Sequence, residues 1–75
     1  MKILNYTVII TSDGEGGYVV TCPTLPGLVT GGDTLDEARV MAADAIRGYI
    51  ESLQKHGEPI PSETPIIEEL SVEVA

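Results

Sequence analysis

The chain has no phenylalanine and no tryptophan, one cysteine, one histidine, and four lysines and arginines among 75 residues. Each shortage excludes something. Without the large aromatics, a core must come from Ile, Val, Leu, Ala and three Tyr. That suffices for one domain over residues 1–75, with so little apolar area to spare that self-association into a homodimer or larger homo-oligomer is expected. Cys22 has no disulfide partner in its own chain, as suits a reducing cytosol. Cys22 and His56 fall on different elements, so there is no zinc spacing and no basis for a Cys–His nucleophile. No apolar run approaches the ~20 residues of a membrane span, and "MKILNYTVII" is too short and polar for a signal peptide and lacks a cleavage site. A cytoplasmic protein without a membrane partner is expected. Four basic residues against twelve acids, a formal charge of −8, argue against direct nucleic-acid binding by this chain alone. Excess acid favours solubility or a basic partner.

What is present is regular patterning. "YTVIIT", Tyr6 to Thr11, alternates with period two and reads as a strand. "SDGEGG", Ser12 to Gly17, is a turn, and "YVVTC", Tyr18 to Cys22, returns as a second strand. Pro23 and Pro26 remove ladder donors, and "GLVTGG", Gly27 to Gly32, reads as a short edge strand. Thr34 and Glu37 then form a T-x-x-E capping box, with Asp33 as an alternative cap. Leu35, Ala38, Ala42, Ala45, Ile46, Tyr49 and Leu53 make a helical apolar stripe. Arg47, Glu51 and Lys55 offer pairs four apart. Gly57 stops the helix, with Pro59 beyond. Val40 and Gly48 fit that helix poorly, through a neighbour on its outer face or through chance. "EPIPSETP", Glu58 to Pro65, is a connection. In "IIEELSVEVA", Leu70, Val72 and Val74 alternate with Ser71 and Glu73 as a last strand.

The expected class is therefore α+β, β-β-β-α-β. A right-handed crossover lays the last strand beside the first in sheet order 3-2-1-4, with the helix on one face. The opposite face, with Thr7, Ile9, Thr11, Val19 and Thr21, is open to a partner. Pro23, Pro26, Gly27, Gly32, Asp33, Thr34 and Glu37 form a structural joint between sheet and helix.

Catalytic readings fare badly. "DGEGGY" joins two strands, whereas a phosphate loop leads from a strand into a helix. At "TGGDTLDE" the acids Asp33, Asp36 and Glu37 repel an anion and cap the helix themselves. His56, in a helix's last turn, suits the negative end of the dipole. Sheet order 3-2-1-4 is how the ribonuclease H fold begins, but the first strand carries none of that fold's metal-binding acids. No catalytic residue, cofactor or metal is expected.

The series "GGYVV" (Gly16 to Val20), "PTLPG" (Pro23 to Gly27), "TGGDTLDEA" (Thr30 to Ala38) and "GEPIP" (Gly57 to Pro61) resembles the N-terminal domain of HicB antitoxins, the HicB-like or UPF0150 group. The resemblance implies a partial ribonuclease H-like fold and a type II antitoxin that neutralises a small basic HicA-type, mRNA-cleaving toxin by covering its RNA face. Many HicB proteins add a C-terminal DNA-binding domain; none is expected in this chain. A free-standing oligomerising or regulatory domain is the alternative, and a residual nuclease a third. The open face and the acidic turn at Asp13 and Glu15 are the expected partner contacts.

Overall fold

In a computed structural model that describes residues 3–63 and 66–75, three short strands precede one long helix. Strand β1 (Ile9–Ser12), β2 (Tyr18–Thr21) and β3 (Val29–Gly32) form an antiparallel meander in the order β1-β2-β3. Ile10 lies opposite Val20, and Val20 opposite Thr30. Because side chains alternate across a strand, that row shares one face. Helix α1 (Leu35–Lys55) covers it: Ala38 and Ala42 pack on Val20, with Val8, Ile10 and Tyr18 around them. A second cluster joins Cys22, Leu25, Leu28 and Ile50, flanked by Tyr6, Ala45, Tyr49, Leu53 and Ile60. The alanines allow a close helix, which offsets the lack of large aromatics with contact area.

The joint explains that closeness. Leu25 N–H donates to the Cys22 carbonyl and Leu28 N–H to the Leu25 carbonyl, so the Pro23–Gly27 stretch coils inward and buries Leu25 completely. Gly27, at φ +83°, takes the left-handed conformation this turn requires. The Tyr49 hydroxyl donates to the Pro26 carbonyl at 3.0 Å and ties the joint to the helix. Thr34 is the N-cap: its Oγ1 accepts from Glu37 N–H at 3.0 Å, while Glu37 Oε1 accepts from Asp33 N–H at 3.3 Å. At the other end, Gly57 N–H donates to the Gln54 carbonyl and Glu58 N–H to the Leu53 carbonyl, the paired bonds of a Schellman stop. Val40 is exposed, and nothing lies within 4 Å of where a Gly48 side chain would begin. The ion pairs also differ from the spacing expected. Arg47 reaches back to Asp44 at 3.6 Å and Arg39 to Asp36 at 2.9 Å, both three apart.

The main correction concerns the last strand. Among the described residues the sheet has three strands and the architecture is β-β-β-α, so the order 3-2-1-4 and the partial ribonuclease H-like fold built on it do not hold. Residues 66–75 are exposed and form no regular element, with no ladder to any strand among the described residues. Period-two alternation belongs to a segment, whereas a strand also needs an edge to pair with, and alternation carries no information about that edge. A smaller correction is the start of β1, at Ile9 rather than Tyr6. Continuing the register from Ile9 opposite Thr21 puts Thr7 opposite Pro23, which has no N–H to give. Thr64 and Pro65 of the proline-rich connection, and residues 1–2, lie outside the described residues.

Candidate interaction surface

The sheet face turned away from α1 is built by the same registers. Ile9 pairs with Thr21 and Thr21 with Val29, which sets these three side chains in one row; Thr11, Val19 and Gly31 make the next. Ile9 is 50% and Val29 66% exposed, while Val19 and Thr21 are half-buried by their neighbours. The row is short, uncharged and apolar at both ends. Of the residues expected here, Ile9, Thr11, Val19 and Thr21 come together. Val29 was missed, although its alternation with Thr30 in the third strand was the signal that would have found it.

Thr7 has a different setting. Its N–H donates to Glu63 Oε1 at 2.6 Å, and the neighbouring Tyr6 hydroxyl donates to the Pro61 carbonyl. These bonds clasp the connection after α1 to the residues preceding β1. Hydrogen bonding, first from the Thr7 side chain, holds the Glu63 carboxyl below the usual carboxylate range against an opposing effect of burial. Glu63 Oε2 is itself shielded from solvent and lacks a hydrogen-bond partner. Burial, with Cys22 and Glu63 adding lesser effects, raises the Tyr6 phenol, which stays a donor. Beside the clasp, Ile9, Pro23, Thr24, Glu63, Ile66 and Ile67 border a largely apolar groove of about 360 Å³.

The acidic turn divides its two carboxylates. Asp13 Oδ1 accepts from Glu15 N–H at 2.7 Å and Gly17 N–H at 3.0 Å, so this side chain holds the turn in shape. Glu15 is exposed at the tip. Elsewhere, Asp36 and Asp44 occupy Arg39 and Arg47. The two helix arginines are thus matched locally, and the acid excess falls on residues such as Glu15, Asp33, Glu51 and Glu58, all exposed.

Cys22 and His56 lie apart. Cys22 is buried in the core, and His56 lies exposed after α1 with Nδ1 2.8 Å from the Ser52 carbonyl. Among the described residues, no three His, Cys, Asp or Glu side chains are grouped to share a metal ion. No described helix is long and apolar enough to cross a membrane. The arrangement offers a neutral sheet face, an acidic periphery and a rigid joint, which is equipment for contact.

Comparison with known proteins identifies the scaffold. Residues 6–74 match the family described as HicB_like antitoxin of bacterial toxin-antitoxin system. A UPF0150 protein of Thermoplasma acidophilum is 52% identical over 92% of this chain and 97% of its own length. A UPF0150 protein of Synechocystis is 42% identical over 95% of this chain and 90% of its own. Antitoxin HicB 1 of Photorhabdus laumondii is 38% identical over 88% of this chain, which spans only 43% of that protein's length. On the extent of the match and the identity to these relatives, the chain belongs to the HicB-like antitoxin family.

Proposed function

We propose that this chain is the antitoxin of a type II toxin-antitoxin pair, acting in the cytoplasm by binding a small, basic, HicA-type toxin that cleaves mRNA and excluding RNA from it. The observation that carries the reading is the acid excess, −8 on 75 residues, in a member of an antitoxin family. A cationic RNA-binding surface on the toxin and an anionic surface here attract each other, which speeds encounter and fixes orientation. The neutral row Ile9–Thr21–Val29 supplies what charge alone does not, an apolar contact able to exclude water. Neutralisation is steric, and it asks no covalent chemistry of this chain.

The test is co-expression with the product of the adjacent reading frame, which this reading expects to be a short basic protein. Restored growth and a single co-eluting complex on size exclusion are the expected result. Growth arrest despite full expression of both proteins, with no complex, overturns the reading. One observation favours the alternative of a free-standing oligomerising or regulatory domain. The chain spans nearly the whole of UPF0150 relatives whose names assign no toxin, and less than half of the named HicB antitoxin. A homo-oligomer as the only species formed, whatever the neighbouring protein, is the outcome that selects this alternative.

A further inference from the structure

Residues 66–75 carry the pattern of a strand and have no sheet of their own to join. Leu70, Val72 and Val74, alternating with Ser71, Glu73 and Ala75, are 80%, 78% and 87% exposed. Ile66 and Ile67, at the start of the segment, are exposed as well. The segment also stretches the molecule: the radius of gyration is 14.8 Å and the long axis 51 Å. A compact chain of this length has a radius of gyration of about 11 Å.

A second oddity lies at the sheet's border. Strand β1 is an edge, and from Ile3 to Ser12 the chain contains no charged residue and no proline. Native edges are normally blunted by charge, proline or a covering element. Here Ile9 stands exposed on the strand, and Ile3 and Leu4 stand exposed ahead of it. One molecule thus has an unprotected edge and an apolar strand-like segment without an edge. Within one chain, the Tyr6–Pro61 and Thr7–Glu63 clasp fixes the connection beside the residues before β1, Ile66 and Ile67 border the groove beside Ile9, and residues 68–75 are exposed.

We propose that residues 66–75 of one copy pair along the β1 edge of a second copy, and reciprocally, giving a two-fold dimer by strand exchange. A reciprocal exchange is self-complementary and closes on itself, covering both edges and both apolar segments at once. Charge selects a second copy over a basic protein as the occupant. Glu68, Glu69 and Glu73 meet no charged side chain of β1 itself, Ile9–Ser12, and that uncharged strand has nothing with which to attract a cationic partner. The inference is independent of any toxin.

Sedimentation equilibrium of the full chain, of Val72→Pro, and of cysteine variants tests it. The full chain is expected to be a dimer. Proline at position 72 should raise the dimer dissociation constant roughly tenfold or more, because it holds φ at about −65°, away from the strand value, and takes away a backbone N–H. A monomeric full chain, or a dimer that Val72→Pro leaves intact, overturns the proposal. The cysteine test changes the buried core by a single atom, at Cys22, and decides even if the proline chain misfolds. In a Cys22→Ser background, Ile9→Cys is mixed with Leu70→Cys, Val72→Cys or Val74→Cys in turn and oxidised. A disulfide joining two different chains in at least one mixture is expected. Its absence from all three overturns the exchange.

Discussion

Adding one methyl group at two glycines of this chain should move stability in opposite directions. At Gly32 a Cβ would lie 2.7 Å from Ala38 N, 2.9 Å from Glu37 C and 3.0 Å from Glu37 Cβ. Gly32 has no positive φ, so space alone decides the outcome. Two of the three atoms met are backbone of the first turn of α1, which cannot step aside as a side-chain tip can. Relief requires that the helix start move off β3, and overpacking of this kind costs about 1–3 kcal/mol. At Gly48 nothing lies within 4 Å of the new methyl. There the substitution should stabilise by about 1 kcal/mol, the usual helix-interior difference between glycine and alanine. Urea denaturation followed by far-UV circular dichroism reads both. At about 4–8 °C per kcal/mol for a domain of this size, the melting temperatures of Gly32→Ala and Gly48→Ala should separate by at least 8 °C or so. Gly32→Ala within about 0.5 kcal/mol of the parent, the span of an ordinary surface change, would refute the close approach of helix to strand.

Three further outcomes follow from the same geometry. Thr34→Ala removes the oxygen that accepts from Glu37 N–H and should cost about 1 kcal/mol, read in the same denaturation assay. The folded-state pKa of Glu63 lies below its unfolded value, so its contribution is complete above the unfolded pKa and is lost as pH falls through the folded one. Thermal melts in a series from neutral to acidic pH should therefore show the parent losing stability more steeply than Glu63→Gln below the ordinary carboxylate range; parallel curves would contradict the clasp. Val29→Arg places a cation on the exposed sheet face and should weaken capture of a basic toxin about tenfold or more while leaving the melting temperature within a few degrees; calorimetric titration measures the first and a melt the second.

Local chemistry made much of this molecule readable in advance. The Asp-Gly and Gly-Gly turn, the Thr34–Glu37 box and the Gly57 stop each act within a few residues, and each lies where its side chains require. The inward face of α1 was legible from its spacing except at Leu35, which stands exposed at the helix start, and at Ile50, which is buried because Leu25 and Leu28 coil up from the joint to meet it. That contact spans the chain, and no periodicity announces it. The last segment shows the same limit more sharply. Its alternation was visible, but whether it has a neighbour depends on which edges the rest of the chain leaves free. Glu63 was equally hidden, since its role arises from Thr7, which is 56 positions away. The open face was legible because strand alternation alone sorts side chains into two sets. Val29 escaped notice only because its strand was read for its brevity and not for its outward residues.

The alanines beneath the sheet have a consequence for association. With Ala38 and Ala42 against Val20, and Leu25 sealed by Tyr49, the platform carrying Ile9, Thr21 and Val29 rests on a thin, tightly filled support. A partner would meet a preorganised surface and sacrifice little conformational freedom in settling on it. Substitutions on that face should then be felt chiefly in how long a complex lasts, and those on the acidic periphery in how fast it forms.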